Sequence, residues 1–197
     1  MKIYDISQEV FDCSVYPGDP QPKRSTLSSM KDGDLYNLSA FSMCAHNGTH
    51  IDAPLHFINN GASVSDIDLA KTIGYAFVKK HDGDLCADDA IDIIAEASNI
   101  NPESVKRILI AGNATITEEA AEVFAKSGIL LIGNESQSVG PEDAPMKTHI
   151  TLLSHGIVLL EGVRLSKVAE GVYLLCAAPL NLSGCDGSPC RAVLIEI

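Results

Sequence analysis

The run Cys44-Ala45-His46-Asn47-Gly48-Thr49-His50-Ile51-Asp52-Ala53-Pro54-Leu55-His56-Phe57 constrains this chain more than any other stretch. It holds three of the six histidines, with an aspartate between the second and third. His46 and His50 have the spacing of one helix face, but Asn47, Gly48 and Thr49 are poor helix formers and Pro54 would break a continuing turn. An extended backbone is the better reading. Its side chains alternate with period two, and His46, His50, Asp52 and His56 all fall at even positions. One extended run would turn all four to the same side, with Gly48 and Pro54 as places for it to bend.

Imidazole nitrogen and carboxylate oxygen are ligands for divalent zinc, manganese or iron in sites that keep open positions, whereas structural zinc is usually held by several cysteines. No cysteine lies at a matching position, so this N/O set points to a catalytic site. A single histidine here would more often be a hydrogen-bonded core or surface residue than a ligand. Four ligand-type side chains on one parity reverse that preference.

At 197 residues and 46% apolar composition, the chain can bury a sizeable core and is most simply one domain over residues 1–197. A net charge of −12 argues against a nucleic-acid partner, since phosphate binding needs a basic footprint. No apolar run approaches the length of a membrane span, and no signal peptide is expected behind Met1. A cytoplasmic location is the expectation. The six cysteines, at 13, 44, 86, 176, 185 and 190, include no CxxC pair and read as reduced thiols.

Along the chain, Lys2–Ser7 reads as an opening strand, the proline-rich stretch that follows as loop, and residues 35–44 as a strand feeding the histidine motif. Asn59-Asn60-Gly61 is a turn, and Ile73–Val78 a strand. Asp88–Ala97 is a helix with Ile91, Ile94 and Ala95 expected in the core. Arg107–Gly112 and Ile129–Gly133 are continuous apolar strands, separated by a helix that Thr115 and Glu118 would open as a capping box and that runs to Lys126. Strand, helix, strand in this rhythm predicts a parallel βαβ unit, hence an α/β protein. The loop 134–141 then leaves the carboxyl end of a parallel strand, a favoured place for ligand contacts. His149 opens a short helical pattern to His155, Ile157–Leu160 is a strand with Glu161 at its end, and Tyr173–Ala178 and Ala192–Ile197 supply closing strands around a turn-rich 183–189 connection. His81 and His155 read as structural or surface residues. Asp186 and Arg191 are open between pocket groups, an ion pair and subunit contacts.

The motif His46-x-Gly48-Thr49-His50-x-Asp52-x-Pro54-x-His56-Phe57 resembles the signature of the cyclase family of metal-dependent hydrolases, which includes bacterial kynurenine formamidases and isatin hydrolases. Tyr16-Pro17-Gly18-Asp19, Ala178-Pro179-Leu180 and Asp186–Ala192 resemble further family segments, so the resemblance spans the chain in order. It implies an α/β fold with a mixed sheet in the swivelling β/α/β arrangement, assembled as a homodimer or homotetramer in which neighbouring chains help build the pocket. It also implies a two-metal site, with His149 and Glu161, at the family's spacing, completing the set. His46, His50 and Asp52 would hold one ion and His149 the second, with Asp52 and Glu161 bridging. Zinc is the first choice and manganese the second. His56 would be the general acid/base, and Tyr16, where kynurenine formamidases usually carry tryptophan, would line the substrate pocket.

The function implied is hydrolysis of a C–N bond in a small aromatic amide. N-formyl-L-kynurenine, cleaved to kynurenine and formate in tryptophan catabolism, is the named candidate. Ring opening of an isatin-like cyclic amide is the alternative, and a metal-binding sensor or carrier without turnover the reading from another class.

Overall fold

The computed structural model describes residues 1–196, which leaves Ile197 of the expected last strand outside the described residues. In chain order the elements are β1 (Lys2–Asp5), β2 (Lys23–Ser28), β3 (Leu38–Ser42), β4 (His50–Asp52), β5 (Ile73–Lys80), β6 (Gly83–Leu85), α1 (Ala87–Ile100), β7 (Arg107–Ala111), β8 (Ala114–Ile116), α2 (Glu118–Ala125), β9 (Leu131–Asn134), α3 (Met146–Ser154), β10 (Val158–Glu161), β11 (Gly171–Cys176), β12 (Gly187–Pro189) and β13 (Val193–Glu196).

Nine strands form one mixed sheet, in the order β1-β13-β11-β5-β7-β9-β10-β4-β12. The central four, β5, β7, β9 and β10, are parallel, and both flanks pair antiparallel. β7, β9 and β10 are buried along their whole length, which explains their apolar runs, broken only by Arg107, Asn134 and Glu161 at strand ends: both sheet faces are covered. On one face Ile108, Ile110, Ile132 and Leu159 pack with Ala90, Ile93, Phe124 and Leu152 of the three helices. On the other, Leu109, Leu131 and Leu160 join Ile51 of β4 and Leu194 of β13, so the sheet curls around a second core.

Four expectations are corrected. Helix α1 buries Ala90, Ile93 and Ala97, not the Ile91, Ile94 and Ala95 stripe; Ile91 is 52% exposed and Ile94 packs only at the edge. The buried face is the one that packs with Ala120, Ala121 and Phe124 of α2 in the same core. Helix α2 is capped by Thr117, whose hydroxyl accepts from the Ala120 amide, because Thr115 is held in β8 opposite Asp84. Helix α3 begins at Met146, so His149 stands one turn inside it. Lastly, the supposed connection 183–189 contains β12, which pairs with β4 and matters for the site.

Candidate metal centre

β4 lies between β10 and β12, antiparallel to both, with Glu161 opposite His50 and Gly187 opposite Asp52. Within β4 the period of two turns His50 and Asp52 to one side, as the parity argument requires. The rest of the motif is not one extended run. His46 sits in a turn held by the Asn47 side chain, which accepts the Cys44 amide at 2.8 Å, and Gly48 follows in the left-handed region at φ 66°. His56 closes a single 3-10 turn, Pro54–His56. These two bends bring the His46 and His56 rings into a stack, centroids 4.0 Å apart. The four side chains converge, through turns on either side of a three-residue strand.

His149 and Glu161 join them from α3 and β10. His149 Nε2 is 3.2 Å from Glu161 Oε1 and 3.7 Å from Asp52 Oδ2. His50 Nε2 is 3.3 Å from Asp52 Oδ1 and 3.4 Å from Glu161 Oε2. His46 Nδ1 is 2.8 Å from Asp52 Oδ1. His50, Asp52, His149 and Glu161 are all buried.

Backbone carbonyls set two of the rings. His50 Nδ1 donates to Gly48 O at 3.0 Å and His149 Nδ1 to Pro145 O at 2.8 Å. A carbonyl can only accept, so each neutral ring carries its proton on Nδ1 and turns the Nε2 lone pair inward, the usual support for a metal-binding histidine. Glu161 is fixed by the Val139 amide, which donates to Oε1 at 2.7 Å.

Divalent metal fits this donor set. His50 Nε2 and Asp52 Oδ2 are buried without a hydrogen-bond partner, although each lies within 4 Å of a group of opposite potential charge. Two buried carboxylates share the site, and the cavity wall contains no lysine or arginine. A divalent cation satisfies both conditions at once. Three triplets of ligand atoms are close enough to hold an ion: His46/His50/Asp52 and Asp52/His149/Glu161, which are largely buried and meet at Asp52, and the less buried His46/His56/Asp186.

In the metal-free chain, protons take the cation's place. Burial opposes a charged His50, yet hydrogen bonding and charge from Asp52 and Glu161 outweigh it and push its pKa up to about 10. Burial likewise opposes charge on His46 and His149, and Asp52 and Glu161 respectively raise both. Burial opposes ionised Asp52 as well, but His46 and His50 hold its carboxyl well below the usual range. His56 goes the other way: burial lowers its pKa, leaving it neutral near pH 7.

The site opens into a cavity of about 380 Å³, within the range of small-ligand pockets. Tyr16 stands at its wall, with its hydroxyl donating to Glu142 O at 2.8 Å, and Phe57 lies edge-on to His56 at 4.5 Å. Of the 134–141 loop, Gln137 and Ser138 reach the wall. His81 and His155 do not. Arg191 is exposed and pairs with Asp5, at 2.9 Å from Nε. Asp186 is a pocket group that the sequence left open: its Oδ2 lies 2.9 Å from His46 Nε2 and 3.2 Å from His56 Nδ1. No spacing rule could have placed it, since 130 residues separate it from His56.

The Cyclase family model, "Putative cyclase", matches residues 4–141, which include the whole histidine motif. The chain belongs to the cyclase family. Cyclase-family relatives named kynurenine formamidase, from Bacillus cytotoxicus and Bacillus cereus, are 35% and 36% identical to it. The first covers 96% of this chain and 95% of the relative, the second 98% and 97%. A solved structure of a potential metal-dependent hydrolase with cyclase activity superposes with a TM-score of 0.82 at 30% identity, covering 98% of this chain and 96% of that one. An isatin hydrolase bound to the product analogue thioisatinate shares the fold, with a TM-score of 0.81 at 20% identity over 98% and 91% of the two chains. This cyclase-family chain is a metal-dependent hydrolase.

Proposed function

We propose that this hydrolase cleaves the formamide bond of N-formyl-L-kynurenine, giving kynurenine and formate. The observation that carries the reading is the convergence of three imidazoles, His46, His50 and His149, and the carboxylates of Asp52 and Glu161 at a cavity whose lining holds no lysine or arginine. The relatives named kynurenine formamidase support the choice of bond.

In this reading His46, His50 and Asp52 would hold one divalent ion and His149 a second, with the carboxylates of Asp52 and Glu161 available to both. Zinc is preferred and manganese second, on ligand type. When bound, the ions supply Lewis acidity to the scissile carbonyl and make water a stronger acid. His56 takes a proton from the attacking water and returns one to the departing aryl nitrogen. Its lowered pKa suits it to begin as a base at neutral pH. A C–O bond forms as the C–N bond breaks. Tyr16 and Phe57 flank the space for the aromatic ring.

The reading includes a homodimer or homotetramer. Hairpin β2–β3 is exposed nearly throughout, and the chain itself leaves Leu27, Met30 and Phe41 at least 60% exposed there. Light scattering of the purified protein decides this. A cytoplasmic location is supported by six free cysteines. Among the described residues no helix is long and apolar enough to cross a membrane.

The test is kynurenine formation from N-formyl-L-kynurenine by protein stripped of metal and reloaded with zinc or manganese. Turnover that follows metal loading supports the reading. A loaded protein that leaves this substrate intact but opens isatin transfers the assignment to cyclic amides, and one inert to both overturns the choice of substrate and directs the search to other amides.

A further inference from the structure

Asp186 is anchored more firmly than its exposed side chain implies. Its carbonyl accepts the Ala53 amide at 2.9 Å, and Cys185 beside it accepts the Val64 amide at 2.9 Å. Gly187, next along, pairs with Asp52 in the β12–β4 ladder. That glycine also leaves room for an imidazole: a Cβ there would stand 2.6 Å from His46 Cε1. The backbone around Asp186 is therefore tied to the central strand of the histidine motif and to the Val64 turn beyond it.

From this anchor one carboxylate oxygen, Oδ2, reaches both stacked rings, His46 Nε2 at 2.9 Å and His56 Nδ1 at 3.2 Å. An ionised carboxylate can only accept, so His56 must present N–H at Nδ1. Its other nitrogen, Nε2, has no hydrogen-bond partner among the described residues and is not one of the buried unpartnered atoms. The lone pair on Nε2 is then the free base that the cavity meets. Among the described residues Asp186 alone hydrogen-bonds His56 through its side chain and so fixes the tautomer; the nearest rings, His46, Phe57 and His149, meet His56 by stacking or by edges.

We propose that Asp186 is a positioning residue of this hydrolase, holding His56 as the Nδ1–H tautomer so that Nε2 faces the reacting bond. This rests on His56 being the proton-transfer group of the proposed reaction. In the chemical step the water proton passes to Nε2 while the Nδ1 proton stays on Nδ1, hydrogen-bonded to Asp186. The same Nε2 proton then goes to the leaving nitrogen, so no net proton reaches the carboxylate.

The experiment compares zinc-loaded wild type, Asp186→Ala, Asp186→Asn, His56→Ala and the Asp186→Ala/His56→Ala double variant. Imidazole nitrogen shifts are read on ¹⁵N-histidine protein, beside bound zinc, kcat and KM. Measured at saturating zinc, Asp186→Ala should move His56 from Nδ1–H to Nε2–H and lower kcat about 10–100-fold, the size of a lost supporting hydrogen bond, with KM held; zinc affinity should also weaken, because the same Oδ2 supports His46. Asp186→Asn, whose amide oxygen still accepts, should keep Nδ1–H and recover part of kcat; it also serves if the alanine variant does not fold. On the His56→Ala background the Asp186 change should add nothing. The inference is overturned by an unchanged tautomer in Asp186→Ala, by zinc loss that accounts for the fall in kcat, or by an equal fall on both backgrounds. If wild type does not hydrolyse N-formyl-L-kynurenine, the proposed substrate is wrong, and the His56 tautomer still decides the role of Asp186.

Discussion

His149 Nε2 lies 3.2 Å from Glu161 Oε1, although one residue stands inside a helix and the other ends a strand twelve positions later. The Gly156 turn reverses the chain between them, with φ at 74°. From His149 to the end of α3 the helix climbs about 7.5 Å, and β10 returns about 10 Å, by the ordinary rise per residue of each element. The two lengths nearly cancel, so a helical imidazole and a strand-end carboxylate come level.

Glu161→Gln should lower metal occupancy while leaving the fold intact, because the amide oxygen can still accept from Val139 N. The loss in affinity should exceed the roughly 10–100-fold of an outer-shell change. Elemental analysis after dialysis against a metal buffer checks this; full occupancy would remove Glu161 from the ligand set.

His56→Ala should keep its metal and lose turnover by about 10²–10⁴-fold, the usual contribution of a positioned acid/base. Metal content and kcat measured on one preparation separate this from a ligand role, in which both would fall together.

Metal loading should release protons at neutral pH. The raised pKa of His50, about 10, exceeds its unfolded value, so its proton stabilises the metal-free fold fully below pH ~6.5 and that contribution is lost as pH rises toward 10. The stripped protein should therefore melt at lower temperature at pH 10 than at pH 7. Calorimetry of zinc binding in buffers of different ionisation enthalpy should show proton release; buffer-independent heats would refute it.

Gly187→Ala should disturb the site from the backbone side, because its methyl group would meet His46 Cε1 at 2.6 Å. The strain should cost about 1–3 kcal/mol, as overpacking does, and loosen the metal. Denaturant unfolding and metal titration read the two effects; a variant as stable and as tightly loaded as wild type contradicts the crowding.

Thiol labelling should spare Cys190. Burial pushes its pKa up to about 12, with Cys176 adding to the rise, whereas Cys86 is exposed. At pH 8, Cys86 should be modified first and Cys190, half-buried and held as the thiol, last; equal rates for the two would contradict this.

The sequence by itself determined the donor types and the core strands. His46, His50, Asp52 and His56 announced themselves as donors crowded into one short motif, although period-two parity holds only for His50 and Asp52, and β7, β9 and β10 did so through apolar runs that only their end residues, Arg107, Asn134 and Glu161, interrupt. The βαβ rhythm followed from the same local patterns. Long-range pairing decided the rest. Asp186 reaches His56 only because β12 pairs with β4, and no local signal in a glycine- and proline-rich stretch specifies that partner. The buried face of α1 differs from the expected one because isoleucines look more like core than alanines do, whereas the face that meets α2 carries Ala90, Ile93 and Ala97. Periodicity records which side chains share a face; which face is covered, and what meets at the end of a strand, depends on contacts between residues far apart in the chain.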